Sequence, residues 1–252
     1  EKNKEQLNNY VAVLTPLAIS AIIAGLILLQ PDLGTAIIYS VIVFLIFLSL
    51  PIDKLIKSKI YQIIIGVILI FVFVMLASGK SMMNSRQMER LNFFKPCQRF
   101  ETTGYHVCNG YIAINNGGLF GVGLGNSTQK YSYLPESHTD FIFAIIVEEL
   151  GLVISVIILI IFIILLSRII KIAKKSPNIR GAVICYGTFI YIFMHIVINL
   201  TGLLGLLPMT GVPLPFFSYG GSFVLNLLIM IALVERVQIE NFNYYNKKDL
   251  PK

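Results

Sequence analysis

The chain has 252 residues, of which 56% are hydrophobic and only 13% charged, whereas an ordinary soluble domain is about one quarter charged. That composition excludes a soluble globular enzyme and implies an integral membrane protein. The net charge of +7 is not a nucleic-acid footprint, because no basic stripe with interleaved aromatics lies in a polar segment.

In chain order, residues 1–9 are polar and do not read as a signal peptide. The apolar run after them is too long and lacks a small-residue cleavage site. The chain opens on Glu1 rather than Met, so it is expected to be a piece of something longer. Six apolar runs approach or reach spanning length: Val11–Leu29, Leu33–Leu50, Ile60–Gly79, Phe141–Ser167, Gly181–Leu207 and Phe216–Val234. Their continuity, without period-two alternation, excludes a β-barrel. The predicted fold is an all-α integral membrane protein with six transmembrane helices, a single membrane domain over 1–252. Gln30-Pro31-Asp32 joins the first two runs as a tight reversal, since proline disfavours helix at the preceding residue.

Basic residues set the orientation. With six spans, the side that holds both ends carries 14 Lys and Arg and the other side carries 6. The positive-inside rule therefore puts both ends in the cytoplasm. One large loop, 80–140, is then extracellular. Its length of about 60 residues marks it as functional or disordered, and its aromatics (Phe93, Phe94, Phe100, Tyr105, Tyr111, Phe120) with the semi-apolar stretch Gly110–Ile114 favour a loop folded onto the membrane surface. Between the last two spans lies a second irregular piece, Pro208 to Gly221, with prolines at 208, 213 and 215. This is predicted to be a re-entrant element, because irregular backbone at membrane depth must be covered by protein or line a wet cavity.

The richest chemistry lies where the loop enters the fourth span. Glu136, His138 and Asp140 fall within five residues at the helix mouth, and Glu148 and Glu149 follow inside the apolar run. Glu148 is roughly 12 Å below Asp140 at 1.5 Å per residue. Intramembrane acids are functional candidates by default. For Glu148 and Glu149, bonding to neighbouring helices is an equally good reading. Elsewhere the signals are weaker. Cys97 and Cys108 share the outer loop, where a disulfide is one option. Cys185 reads as a small buried residue. The glycines at 117, 118, 121, 123 and 125 fit neither a Rossmann turn nor a Walker loop, and a compact turn-rich loop is the plainer reading. The cysteine spacing suggests no metal site.

Several pieces now stand in order: Gln30-Pro-Asp-Leu-Gly-Thr; Gly117-Gly-Leu-Phe-Gly-Val-Gly-Leu-Gly-Asn-Ser; Leu134-Pro-Glu-Ser-His-Thr-Asp-Phe; Glu148-Glu-Leu-Gly; and Asn199 through Pro208 to Ser218-Tyr-Gly-Gly-Ser. Together they resemble the SEDS family (shape, elongation, division and sporulation) of bacterial membrane glycosyltransferases, over nearly the whole chain. Asn126-Ser-Thr-Gln-Lys and Leu-Pro-Glu-Ser-His are more similar to the cell-division branch than to the elongation or sporulation branches. The departures are Phe223 where a small residue is usual, and His106 and Asn109 where the family often has Gln. The resemblance implies that these are the last six helices of a roughly ten-helix fold.

The resemblance also implies the chemistry. The expected activity is an inverting peptidoglycan glycosyltransferase that polymerises lipid II into glycan strands at the outer face of the cytoplasmic membrane, for septal wall synthesis. An inverting transfer needs one general base and no covalent nucleophile, and Asp140 is the expected base. Glu136, His138, Thr139, Ser218, Gly220 and Gly221 are expected on the substrate side. Arg86, Arg90 and Lys130 are candidates to receive the pyrophosphate charge, and lipid-headgroup contact is at least as good a reading of each. A divalent cation, Mg2+ or Mn2+, is an expected assistant, and no organic cofactor is expected. Asp32, Glu148 and Glu149 stand between structural and functional roles. The expected partners are lipid II, the nascent strand, a class B penicillin-binding protein and other divisome proteins. Two rival classes remain, a lipid II flippase and a non-enzymatic divisome scaffold. Glycan strands made from lipid II by purified protein would separate the polymerase from both.

Overall fold

The computed structural model describes residues 10–30, 33–50, 52, 54–62, 65–66, 96–99, 104–134 and 137–249. Among the described residues every regular element is helical. The chain divides into two compact units, Glu1–Glu89 and Arg90–Lys252.

In the first unit, α1 (Tyr10–Leu29) and α2 (Leu33–Ser49) pack against each other. Both are apolar all round, as expected of helices in lipid rather than at a water interface. Residues 54–62 are helical and close the end of this pair. Val13, Phe47, Ile52, Ile56 and Ile60 form their buried cluster. The Phe47 and Tyr61 rings meet edge-on at 5.8 Å. Lys57 Nζ caps the carbonyl of Leu48 at 2.9 Å, supplying a donor to one of the unpaired carbonyls at the end of α2. Asp32, in the connection between α1 and α2, lies outside the described residues.

The second unit contains a 3-10 turn (Pro96–Arg99), α3 (Tyr105–Gly117), the short α4 (Gln129–Ser132), and the long helices α5 (Ile142–Lys175), α6 (Ile179–Leu203) and α7 (Gly221–Asp249). The three long helices are long and apolar enough to cross a membrane. Cys97 and Cys108 are joined by a disulfide that ties the 3-10 turn to α3. The packing core runs along α5. Phe141, Ala144, Val147, Leu166 and Ala173 belong to one buried cluster with Val107 and Ala113 of α3, Leu203 of α6, and Val234 and Val237 of α7, and α5 packs against α3, α6 and α7. Small residues such as Ala113 and Ala144, both fully buried, allow the close approach that drives helix association in lipid.

Several boundaries differ from the hydropathy reading, the largest at the end of the last run, where α7 continues past Val234 to Asp249. The fifth apolar run ends as helix at Leu203, not Leu207, because the chain turns there and Tyr111 Oη donates to the Leu204 carbonyl at 2.7 Å. The last helix begins at Gly221, not Phe216. Phe216 has φ +67°, a left-handed conformation in a bulky residue, held where its ring and that of Phe217 flank Phe162. Hydropathy also stops the fourth run at Ser167, whereas α5 continues helical to Lys175.

Residues 105–130 pack along the first turns of α5, as far as Gly151. At about 1.5 Å per residue that is roughly 16 Å along the helix from Asp140.

Candidate active site

Two arrangements fix the mouth of α5. The first is a lock between the glycine-rich loop and the helix. At Gly151 the backbone of α5 departs from helical geometry, with φ 82° and ψ 171°. The amides of Leu152 and Val153 donate to Gly118 and Leu119 carbonyls at 3.0 and 3.2 Å, instead of to their own helix. The carbonyls of Glu148 and Glu149, freed by that switch, accept from the amides of Val122 and Gly123 at 2.9 and 3.0 Å. The loop is thus spliced into the helix ladder, which is a recognised cause of a kink. Only glycine serves at the contacts. A Cβ on Gly117 would lie 2.0 Å from the Val147 carbonyl oxygen, and one on Gly151 would lie 2.4 Å from that of Leu119.

The two acids secure the same loop. The Glu148 carboxylate is 1% exposed. It accepts from Ser127 Oγ, from Thr128 Oγ1 at 3.1 Å, from Asn116 Nδ2 at 3.2 Å and from the Gln129 amide at 3.4 Å. Glu149 pairs with Lys130 Nζ at 2.5 Å and accepts from the Ser127 amide. The partners of the two acids lie on α3 (Asn116), on α4 (Gln129 and Lys130) and on the turn between them (Ser127 and Thr128). Lys130 is the one pyrophosphate candidate among the described residues, and it is held by Glu149 beside the Tyr131 ring. Its bond to that carboxylate raises its pKa above the usual lysine value. Arg86, Arg90 and Glu136 lie outside the described residues.

The second arrangement joins the re-entrant segment to the residues just before α5. Three successive carbonyls are each taken by a donor from another part of the chain. The Tyr219 amide donates to His138 at 2.9 Å, Ser218 Oγ to Thr139 at 2.7 Å, and Asn199 Nδ2 to Asp140 at 2.9 Å. Ser218 Oγ also accepts from the Leu214 amide at 2.7 Å, and Asn199 Nδ2 also donates to the Val212 carbonyl at 2.8 Å. Backbone that cannot be helical through Pro213 and Pro215 is therefore covered by protein. The Asp140 carboxyl faces this segment. A Cβ on Gly211 would lie 3.3 Å from Asp140 Oδ2. Asp140, Asn199, Gly202, Thr210 and Gly211 surround a crevice of about 10 Å³, roughly the room needed for one water.

Asp140 and Thr139 are half-buried, His138 is exposed and Ser218 is buried. Gly220 and Gly221 stand at the start of α7, where the Val224 amide donates to the Gly220 carbonyl. Their backbone shapes the exit of the re-entrant segment. The structure thus brings His138, Thr139, Asp140 and Ser218 together. Asn199 and Gly211 join them, and sequence reasoning gave neither a role. An amide in an otherwise apolar span was the available signal for Asn199. Two of the departures from the family pattern also have local partners. Phe223 stacks on His195 at 5.3 Å, and His106 stacks on Phe141 at 6.1 Å. Among the described residues no three His, Cys, Asp or Glu side chains gather to hold a metal ion.

The family model for FtsW/RodA/SpoVE cell cycle proteins matches residues 1–243. The chain belongs to the FtsW/RodA/SpoVE family. It is 38% identical to the probable peptidoglycan glycosyltransferase FtsW of Bacillus subtilis (strain 168), over 94% of this chain and 59% of that protein. It is 34% identical to the protein of the same description from Coxiella burnetii, over 91% of this chain and 60% of that protein. Among solved structures it matches a chain of a peptidoglycan synthase complex described as coordinating polymerization and crosslinking. There the TM-score is 0.67 and the identity 25%, covering 92% of this chain and 63% of that one. It shares its fold with the rod shape determining protein RodA of Thermus thermophilus, at a TM-score of 0.55 and 24% identity, over 95% of this chain and 62% of that one. The chain therefore spans about three fifths of the length of these FtsW/RodA/SpoVE relatives. It is a multi-pass membrane protein of that family.

Proposed function

We propose that this chain carries the catalytic centre of a glycosyltransferase that polymerises lipid II into glycan strands at the outer face of the bacterial cytoplasmic membrane. The observation that carries this reading is the placement of Asp140. Its carboxyl lies at the entrance of a membrane helix, half-buried, with the carbonyls of 138, 139 and 140 fixed by Tyr219, Ser218 and Asn199. A base held this firmly against a re-entrant segment suits a substrate whose lipid tail is in the bilayer and whose sugars lie at its edge. In the proposed step the 4-hydroxyl of an acceptor GlcNAc attacks the anomeric carbon of the lipid-linked MurNAc. Asp140 takes the hydroxyl proton. The new C–O bond forms as the bond to the pyrophosphate oxygen breaks, undecaprenyl pyrophosphate leaves with the electron pair, and the anomeric centre inverts.

The cell-division branch, and with it work at the septum, is supported by the FtsW descriptions of the similar curated proteins. A class B penicillin-binding protein is the proposed partner, since this activity makes strands but no crosslinks. The description of the neighbouring synthase complex, which pairs the two processes, favours that. The experiment is direct. Purified full-length protein with its transpeptidase partner, given lipid II in detergent, is expected to yield glycan strands resolvable by electrophoresis. Failure to make strands while still binding lipid II would shift the assignment to a flippase or a scaffold.

The proposed orientation puts both ends in the cytoplasm and 80–140 outside. The 14-to-6 distribution of basic residues supports it, and so does the Cys97–Cys108 disulfide, a bond that persists on the oxidising side of the membrane. A cysteine introduced at Lys174 is expected to resist an impermeant thiol reagent in intact cells and to react after permeabilisation. Labelling in intact cells would reverse the topology.

A further inference from the structure

Far from the mouth, α5 and α7 leave a groove that the proposed reaction does not use. The apolar run of α5 ends at Ser167, and Arg168, Lys171 and Lys175 follow at i, i+3 and i+7 on one helix face. The polar flank of α7 lies opposite. It is fastened to the same part of α5 by Asn241 Nδ2, which donates to the Ile172 carbonyl at 3.1 Å, and by Tyr245 Oη, which donates to the Lys175 carbonyl at 3.1 Å. The space between is about 820 Å³ and is lined by these cations together with Asn241, Phe242 and Tyr245. No acid lines it. Among the described residues the two ion pairs are Lys130–Glu149 and Arg236–Glu240, so none of the three cations is neutralised by a carboxylate.

We propose that this groove is a binding site for the headgroup of an anionic glycerophospholipid. Its position carries the first part of the argument. The cations begin where the apolar run stops, which is the level of lipid phosphates whichever way the chain is turned. Basic pockets between membrane helices at that level suit anionic headgroups. Its shape carries the second part. Two side chains of α7 hold it at fixed width, and a volume of this size accepts a ligand rather than a lone ion. Phe242, 65% exposed at the rim, offers apolar contact to glycerol and acyl carbons, which a soluble phosphate lacks. On the orientation proposed above, the site faces the cytoplasmic leaflet. The binding experiment reads the same on either side and without turnover, so its outcome is separate from that of the polymerase reading.

The test uses the full-length protein reconstituted in phosphatidylcholine nanodiscs doped with phosphatidylglycerol. Lipid retained after release is read by native mass spectrometry. The wild type is expected to retain phosphatidylglycerol over phosphatidylcholine. Replacing Arg168, Lys171 and Lys175 together by Gln is expected to lower retention by about tenfold. Removing the same charge off the groove, at Lys174, Arg180 and Arg236, is expected to change it by less than about twofold. Asn241→Ala keeps every charge but frees α7 from Ile172, and it is expected to lose retention as well. Equal losses in the two charge variants, or full retention in Asn241→Ala, would reduce the groove to diffuse surface charge and overturn the proposal. Displacement of the lipid by millimolar inorganic phosphate would assign the site to a soluble phosphate and overturn it too.

Discussion

Asp140→Asn in the full-length protein is expected to abolish nearly all strand synthesis, lowering polymerisation of lipid II by about 10²–10⁴-fold, the usual scale for loss of a general base. The substitution keeps size and removes basicity. The carbonyl of residue 140, which Asn199 holds at 2.9 Å, belongs to the backbone and is retained. Folding, abundance and association with the partner transpeptidase should therefore persist. His138→Ala is expected to cost less, because His138 is exposed and its fixed atom is a carbonyl bonded by the Tyr219 amide. A folded Asp140→Asn protein that polymerises near the wild-type rate would remove the residue from the chemistry and leave it a positioning role.

The second large effect is on stability. Glu148→Ala removes a buried acceptor that serves Ser127, Thr128, Asn116 and the Gln129 amide. A buried donor left unpaired costs about 1–3 kcal/mol. The hydroxyls can turn to other acceptors, so the net loss is expected to be on the order of 3 kcal/mol. In detergent this should appear as a fall of roughly 5–10 °C in melting temperature, with new proteolytic sensitivity in 116–130. Glu149→Gln is the control. Its carboxylate is less enclosed and its cation is close to solvent, so a clearly smaller shift is expected. Equal shifts for the two variants would mean that Glu148 does not anchor the loop.

Much of the site could be read from the sequence because its causes are local. Asp140 stands where polar chain meets apolar chain, and the prolines at 208, 213 and 215 announce backbone that cannot stay helical. The irregular backbone of 208–220 was therefore legible, and its covering by Ser218 follows from the need to satisfy it. What was not legible depends on pairings across long sequence separations. That Glu148 lies inside an apolar run was readable, but nothing near it in sequence names Ser127 or Asn116 as donors. The glycine-rich loop gave no sign that it would enter a helix some 30 residues on, since the bonds involved are backbone to backbone and carry no side-chain signature. Hydropathy likewise ran α7 back to Phe216, because it weighs side chains and cannot register the left-handed φ there.

The splice at Gly151 also changes what can open independently. In an ordinary membrane helix each amide is shielded by its own ladder and exchanges with solvent hydrogen by local fraying. Here the amides of Leu152 and Val153 are shielded by carbonyls of residues 118 and 119, and those of Val122 and Gly123 by carbonyls of α5. None of the four can exchange unless loop and helix part, so they form one cooperative unit. The two halves of α5 are joined mechanically through a segment that is not part of the helix, and deuterium uptake at these four positions is a clock for that parting.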